Sequence, residues 1–192
     1  MDLVVQYWYC YPVGRGYHME DSLNRGENRM KSLLLLRHAK SSWKDMSLGD
    51  HDRPLNPRGK RDAPRMGRLL HELDLVPDAI LSSTAKRAFK TAQAVAEAAG
   101  YEGEIEKHRS LYHAGADVFI EMLRTLPDEV ERAMLVGHNP GMEYAVLYFT
   151  GEDERYPTAT VAHIQLPIDS WAELDEETEG KLLGLWRPKE LD

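Results

Sequence analysis

Three short apolar runs in this 192-residue chain end in side chains that could do chemistry. Leu33–Leu36 runs straight into Arg37 and His38. Ala79–Leu81 ends in Ser82 and Ser83 and leads to Arg87. Met134–Val136 ends in Gly137, His138 and Asn139. Two arginines and two histidines on one rim would form a compact donor cluster. A carboxylate cluster suits a cation; this one suits a dianion. Arginine offers planar donors matched to phosphate oxygens and stays charged at any relevant pH. The turn before Asn139 is also expected to aim the free amides of a helix N-terminus into the same region. A neutral imidazole, with an ordinary pKa of about 6.5, is a usable nucleophile toward phosphorus. The remaining donors would stabilise charge on the equatorial oxygens as the group transfers. Zinc is the competing use of His38 and His138. No HExxH or i, i+4 histidine pair is present, and Arg37 and Arg87 would repel a cation, so no metal is expected. Ser82 and Ser83 lack a GxSxG elbow and suit turn and cap roles.

These groups share a rim only if the elements behind them are arranged in one way. Leu33–Leu36 is a continuous apolar run, as in a strand buried on both faces. Residues 39–55 are polar and read as a long loop. Residues 56–73 read as a helix capped by Asn56 with Pro57 at its first position. Pro64 inside it predicts a kink, or a later start capped by Asp62. Residues 78–83 give a second strand. Residues 84–100 give an Ala-rich helix closed by Gly100. Residues 104–108 form a third strand, and 116–127 a helix capped near Asp117 and stopped by Pro127. Residues 132–141 give a strand, a sharp turn and a helix starting at Asn139–Pro140. Residues 160–168 and 181–188 are late strands at an antiparallel edge, joined by an acidic turn. Alternating strands and helices predict an α/β domain, with a largely parallel sheet covered on both faces. Ligands of such sheets sit beyond the carboxyl ends of the strands, where all three of these motifs fall.

Apolar residues make up 42% of the chain and charged residues 29%, as in an ordinary globular protein of one domain. The formal net charge of −8 provides no global basic field for nucleic acid or anionic lipid, so neither partner is expected. No run approaches the ~20 apolar residues needed to span a bilayer. The single Cys10 excludes an internal disulfide and a Cys-rich zinc site, and suits a reducing, cytoplasmic setting. Residues 1–30 lack the pattern of a secretory signal. Their Tyr7, Trp8, Tyr9, Tyr11 and Tyr17 have no period, and only Arg15 lies among them, too little positive charge for a nucleic-acid platform. The expected organisation is an N-terminal extension over residues 1–30 and one domain over 31–192. Met30 offers a second position for the start of translation.

The segments "LLLLRHAK", "LSSTAKRAFKTA" and "LVGHNPG" resemble the three signatures of the histidine phosphatase superfamily, also called phosphoglycerate mutase-like. That family carries Arg-His-Gly at the end of its first strand, an arginine within S-x-x-x-R-x-x-x-T, and a late Gly-His. "DHDRPLNPRGKRDA" and "GKLLGLWRPKEL" resemble the second block and closing strand of its small SixA-type phosphohistidine phosphatases. The likeness covers about residues 31–191. It implies a three-layer α/β/α sandwich. It implies His38 as a nucleophile that is transiently phosphorylated, and Arg37, Arg87 and His138 as the rest of the phosphate pocket. Arg53 would be a further phosphate-side arginine, and Asp50, Asp52 and Asn139 further substrate-binding candidates. No metal or organic cofactor is implied.

Two positions depart from the pattern. Ala39 stands where glycine is expected, which is tolerable if its φ is negative. Mutase-like relatives place a proton-donating glutamate after the third strand, and here that stretch reads "SLYHAGAD", with Tyr112 and His113. An alkoxide leaving group needs a proton, whereas a phosphoramidate leaves more easily. The expected activity is therefore hydrolysis of phosphohistidine on a protein, with Asp50, Asp52 and His113 as substitute acids. The alternatives are a phosphatase of small esters or anhydrides and a phosphate-binding module without turnover. The nucleophile must be neutral, so the rate should fall as pH drops through the His38 pKa, and the profile should not be flat between about pH 5 and 8, where histidine ordinarily titrates.

Overall fold

The computed structural model describes residues 30–191. The expected extension over 1–30 lies, but for Met30, outside the described residues. Six strands form one sheet: β1 (Lys31–Arg37), β2 (Ala79–Ser83), β3 (Ile105–His108), β4 (Arg132–Gly137), β5 (Val161–Leu166) and β6 (Lys181–Trp186). Their order is β3-β2-β4-β1-β5-β6. The β3-β2, β2-β4 and β4-β1 pairs are parallel, and β1-β5 and β5-β6 are antiparallel. The helices are α1 (Pro57–Glu72), α2 (Lys86–Ala99), α3 (Ala116–Leu123) and α4 (Gly141–Thr150).

The leucine run explains the layering. Successive side chains of a strand point to opposite faces. Leu33 and Leu35 accordingly join a core with Phe119, Leu123, Val146 and Phe149 of α3 and α4. Leu34 and Leu36 join the opposite core, with Met66, Leu70, Ala92 and Val95 of α1 and α2. All four leucines are fully buried. The result is a three-layer α/β/α sandwich with a mostly parallel sheet, as the sequence predicts.

Local expectations differ from the structure in three places. Helix α1 runs through Pro64 without a later start, and its cap is Asn56, whose side chain accepts from the Gly59 amide at 2.9 Å. Asp62 is a buried residue of its second turn rather than a cap. Helix α3 starts from Gly115, and Asp117 lies in its first turn without capping it. Helix α4 begins at Gly141, after a cis Asn139–Pro140 bond, and Asn139 does not cap it.

Two contacts fix the loops around the sheet's carboxyl end. A Cβ at Gly59 would lie 2.3 Å from the Lys40 carbonyl, so glycine lets α1 dock against the segment after β1. A Cβ at Gly141 would lie 2.0 Å from the Ala114 carbonyl, so the loop before α3 seats directly on the start of α4.

Candidate active site

The three motif-bearing strands β2, β4 and β1 are parallel neighbours, and their carboxyl ends meet in register, with Arg37 opposite Gly137. Beyond β1 the backbone stays clamped on both sides. The Arg37 amide donates to the Thr160 carbonyl at 3.1 Å, and the His38 amide to the Gly137 carbonyl at 3.0 Å. The Ala159 amide reaches back to the carbonyls of Arg37 and His38 at 3.1 and 3.2 Å, and Ala159 takes φ 63° to do so. The Ala39 amide donates to the Thr91 hydroxyl at 2.9 Å, tying the loop to α2. Ala39 is absent from the residues with positive φ, so alanine fits where the pattern has glycine.

His38, Arg87 and His138 are buried and converge. The His38 and His138 ring centroids lie 5.0 Å apart. His38 Nδ1 is 2.8 Å from the Ala39 carbonyl. A carbonyl only accepts, so the ring proton sits on Nδ1 and the lone pair on Nε2. Arg87 Nε donates to that lone pair at 3.2 Å. Burial lowers the His38 pKa to about 3; the Ala39 contact opposes this, and Arg87, Arg37 and Arg53 add to it. This corrects the expectation of a histidine titrating near its ordinary value: His38 is a neutral base throughout the physiological range.

His138 is held by Ser83. The Ser83 hydroxyl accepts from the Ala85 amide at 3.2 Å and lies 2.9 Å from His138 Nε2. A hydroxyl proton donated to Nε2 leaves the ring proton on Nδ1, which is buried and without a partner among the described residues. Burial, then His38 and Arg87, lower the His138 pKa to about 2. Arg37 directs Nη1 to the Tyr156 carbonyl at 2.6 Å, while its Nε is buried and unpartnered. His138 Nδ1 and Arg37 Nε are thus donors with nothing to bond, within a cluster suited to an anion.

The other predicted residues fall in different places. Asp50 is at the centre of the rim. Its carboxylate accepts from Arg53 at 2.6 Å, Arg87 at 2.8 Å and the Tyr112 hydroxyl at 2.7 Å. Its backbone carbonyl accepts from Arg87 Nη1 at 2.5 Å. Burial raises its pKa, but Tyr112, Arg53 and Arg87 outweigh that and hold it well below the ordinary carboxylate range. Arg53 is buried, with donors on Asp50, the Ser41 hydroxyl and the Ser42 carbonyl, and Trp43 lies over its guanidinium at 3.2 Å. It therefore braces the loop around Asp50. Asp52 is 69% exposed and, among the described residues, its carboxylate pairs only with His51, at 3.5 Å, so it is not brought to the cluster. Asn139 donates to the Tyr156 carbonyl, the acceptor that Arg37 also uses, and so sits behind Arg37. The Met142 amide at the start of α4 is bonded to the His138 carbonyl, so it is not a free donor at this rim. A cleft of about 510 Å³ lined by Arg58, Glu154, Arg155 and Arg187 contains none of these residues.

Sequence reasoning passed over Ser83, Thr91 and the Tyr156 carbonyl as supports. The first two were within reach: Ser83, Arg87 and Thr91 are spaced four apart, which puts Arg87 and Thr91 on one helix face.

Comparison with known proteins identifies the family and the fold. The family model "Histidine phosphatase superfamily (branch 1)" matches residues 33–114. A putative phosphohistidine phosphatase SixA from Agrobacterium tumefaciens superposes with a TM-score of 0.71 at 30% identity, over 82% of this chain and 98% of that one. Another from Nakamurella multipartitia gives 0.73 at 25% identity, over 83% and 96%. An uncharacterized chloroplastic protein of Arabidopsis thaliana is 36% identical over 153 residues, 74% of this chain and 70% of that one. The chain belongs to the histidine phosphatase superfamily and is a phosphatase. Within that superfamily it is of the SixA type.

Proposed function

We propose that the domain over residues 31–192 hydrolyses phosphohistidine on a protein through a covalent intermediate on His38. The observation that carries this reading is the neutral, buried His38, its Nε2 lone pair facing Arg87 and its ring 5.0 Å from that of His138. His38 Nε2 attacks phosphorus as the substrate's own P–N bond breaks and its electron pair leaves on the substrate imidazole, while Arg87 swings its donors from the His38 lone pair to the phosphoryl oxygens. Arg37 Nε and His138 Nδ1 bond the same oxygens as charge builds on them. Water then attacks the phosphohistidine, the P–N bond breaks, and its electron pair returns to Nε2. Arg53 and Asp50 hold the loop that bounds the pocket, and Asn139 secures the carbonyl behind Arg37.

Phosphohistidine is favoured as substrate because imidazole leaves readily and the pocket carboxylate, Asp50, is ionised and cannot donate a proton. The two SixA relatives, each described as a putative phosphohistidine phosphatase, support the same choice. The partner is then a phosphorylated protein, and the single cysteine fits a cytoplasmic setting. Among the described residues, no helix is long and apolar enough to cross a membrane. The second reading, a phosphatase of small esters or anhydrides, is favoured by one observation, the exposed His113 at the rim.

The test is a panel of a phosphohistidine peptide against phosphate esters, with acid-labile label trapped on the enzyme. Wild type should trap label and release phosphate fastest from the peptide; His38→Ala should do neither. Equal turnover by both proteins refutes the His38 reading. Binding of phosphate without turnover by either makes the protein a phosphate-binding module.

A further inference from the structure

In-line transfer from a buried nucleophile sends the leaving group outward, to the exposed side of the pocket. Four titratable side chains stand there: Asp50, His51, Tyr112 and His113. Asp50 is ionised, with its carboxylate on two arginines. Tyr112 donates its hydroxyl proton to Asp50. His51 is tied to the Thr84 hydroxyl at 3.0 Å and faces Asp52. His113 is exposed and makes no hydrogen bond among the described residues. Its ring packs on Tyr112 at 4.0 Å and lies 6.3 Å from the ring of His138.

The backbone at His113 points the same way. Its φ is 62°, in the left-handed region that favours glycine. The flanks hold it there, since Leu111 and Ala114 are buried and the Ala114 carbonyl is seated against Gly141. A strained non-glycine residue held from both sides, beside a catalytic cluster, is where strain serves function. Glycine would fit this backbone with less strain and would remove the ring.

We propose that His113 is the general acid of this enzyme toward ester leaving groups, extending its substrates from phosphohistidine to phosphate monoesters. The proposal rests on the His38 reading. Protonated His113 gives its proton to the leaving oxygen as the P–O bond breaks and the P–N bond to His38 forms. The products of this half are the free alcohol, phospho-His38 and neutral His113. Water then attacks the phosphorus of phospho-His38 and gives its proton to solvent as the P–N bond breaks, a step common to every substrate and independent of His113; phosphate is released, and solvent returns a proton to His113.

The experiment compares wild type, His113→Gly and His113→Gln on three substrates: an alkyl phosphate, 4-nitrophenyl phosphate and a phosphohistidine peptide. Loss of a general acid should cut alkyl phosphate turnover about 100-fold or more. The two better leaving groups should change little, and His113→Gly should melt no lower than wild type. Equal losses on all three substrates, no loss on any, or absence of alkyl phosphate turnover in wild type each overturn the proposal. Acid-labile label on His38 in the variants shows that the underlying phosphatase reading stands even then. Absence of that label in wild type marks the failure of the phosphatase reading instead.

Discussion

Replacing Asp50 by asparagine should make the enzyme bind anions more tightly. The Asp50 carboxylate sits on Arg87 Nη2 at 2.8 Å, on the guanidinium proposed to receive phosphate. An incoming dianion has to break that contact and then lie beside a displaced negative charge. A hydrogen bond to a charged partner contributes about 1.5–3 kcal/mol. Asp50 is 44% exposed, so solvent screening reduces this to about 1–1.5 kcal/mol. Asparagine keeps the shape, and the Arg87 contact to the Asp50 carbonyl survives. Arg53 remains anchored on Ser41 and Ser42, so the loop keeps its brace. The inhibition constant of orthovanadate should then fall about 5- to 10-fold, at about 1.4 kcal/mol per tenfold. Isothermal titration with inorganic phosphate should show the same direction. An unchanged or weaker affinity in Asp50→Asn, with the melting temperature retained, would mean that Asp50 organises the pocket and does not compete for it.

Three further outcomes follow from the geometry. His38 is unprotonated down to about pH 3, so kcat/KM, corrected for ionisation of the substrate phosphate, should hold between about pH 7 and pH 5; a His38-borne break at about 6.5 would contradict the burial argument. The same two buried histidines make the fold acid-labile. Their folded pKa values lie below the unfolded value of about 6.5, so their stabilising effect is full above that pH. It is lost as pH falls toward the folded values, at up to about 1.4 kcal/mol per pH unit for each group, which chemical denaturation at stepped pH would measure. Finally, Ser83→Ala frees the His138 ring and should lower kcat by about tenfold with little change in KM, as expected for a donor needed mainly in the transition state; a change confined to KM would refute the orienting role.

The layering was legible because its signal is local. A run of four leucines can be buried only by covering both faces of a strand, and the two cores divide at those four side chains. The convergence of Arg37, Arg87 and His138 followed from strand order alone, because parallel strands deliver their ends to one rim. Element boundaries were less legible, since local propensity competes with packing. Pro64 signals a break, yet α1 continues through it, held by the Asn56 cap and its packing on α2. Asn139 looks like a cap, yet its amide is drawn 17 residues along the chain, to the Tyr156 carbonyl.

The roles of the charged loop were least legible, for a related reason. A sequence shows that Asp50, Asp52 and Arg53 are near one another but not what each faces. Two carboxylates two residues apart end in opposite environments, one bridging two arginines and a tyrosine, the other exposed beside His51. The difference is made by Arg87 and Tyr112, which are 37 and 62 residues away from Asp50. It decides the chemistry of the pocket: the carboxylate nearest the phosphate arginines is the one least able to carry a proton. Proton transfer to an ester leaving group must then come from a side chain outside that ion-pair network, and His113 meets that requirement at the cost of a strained backbone.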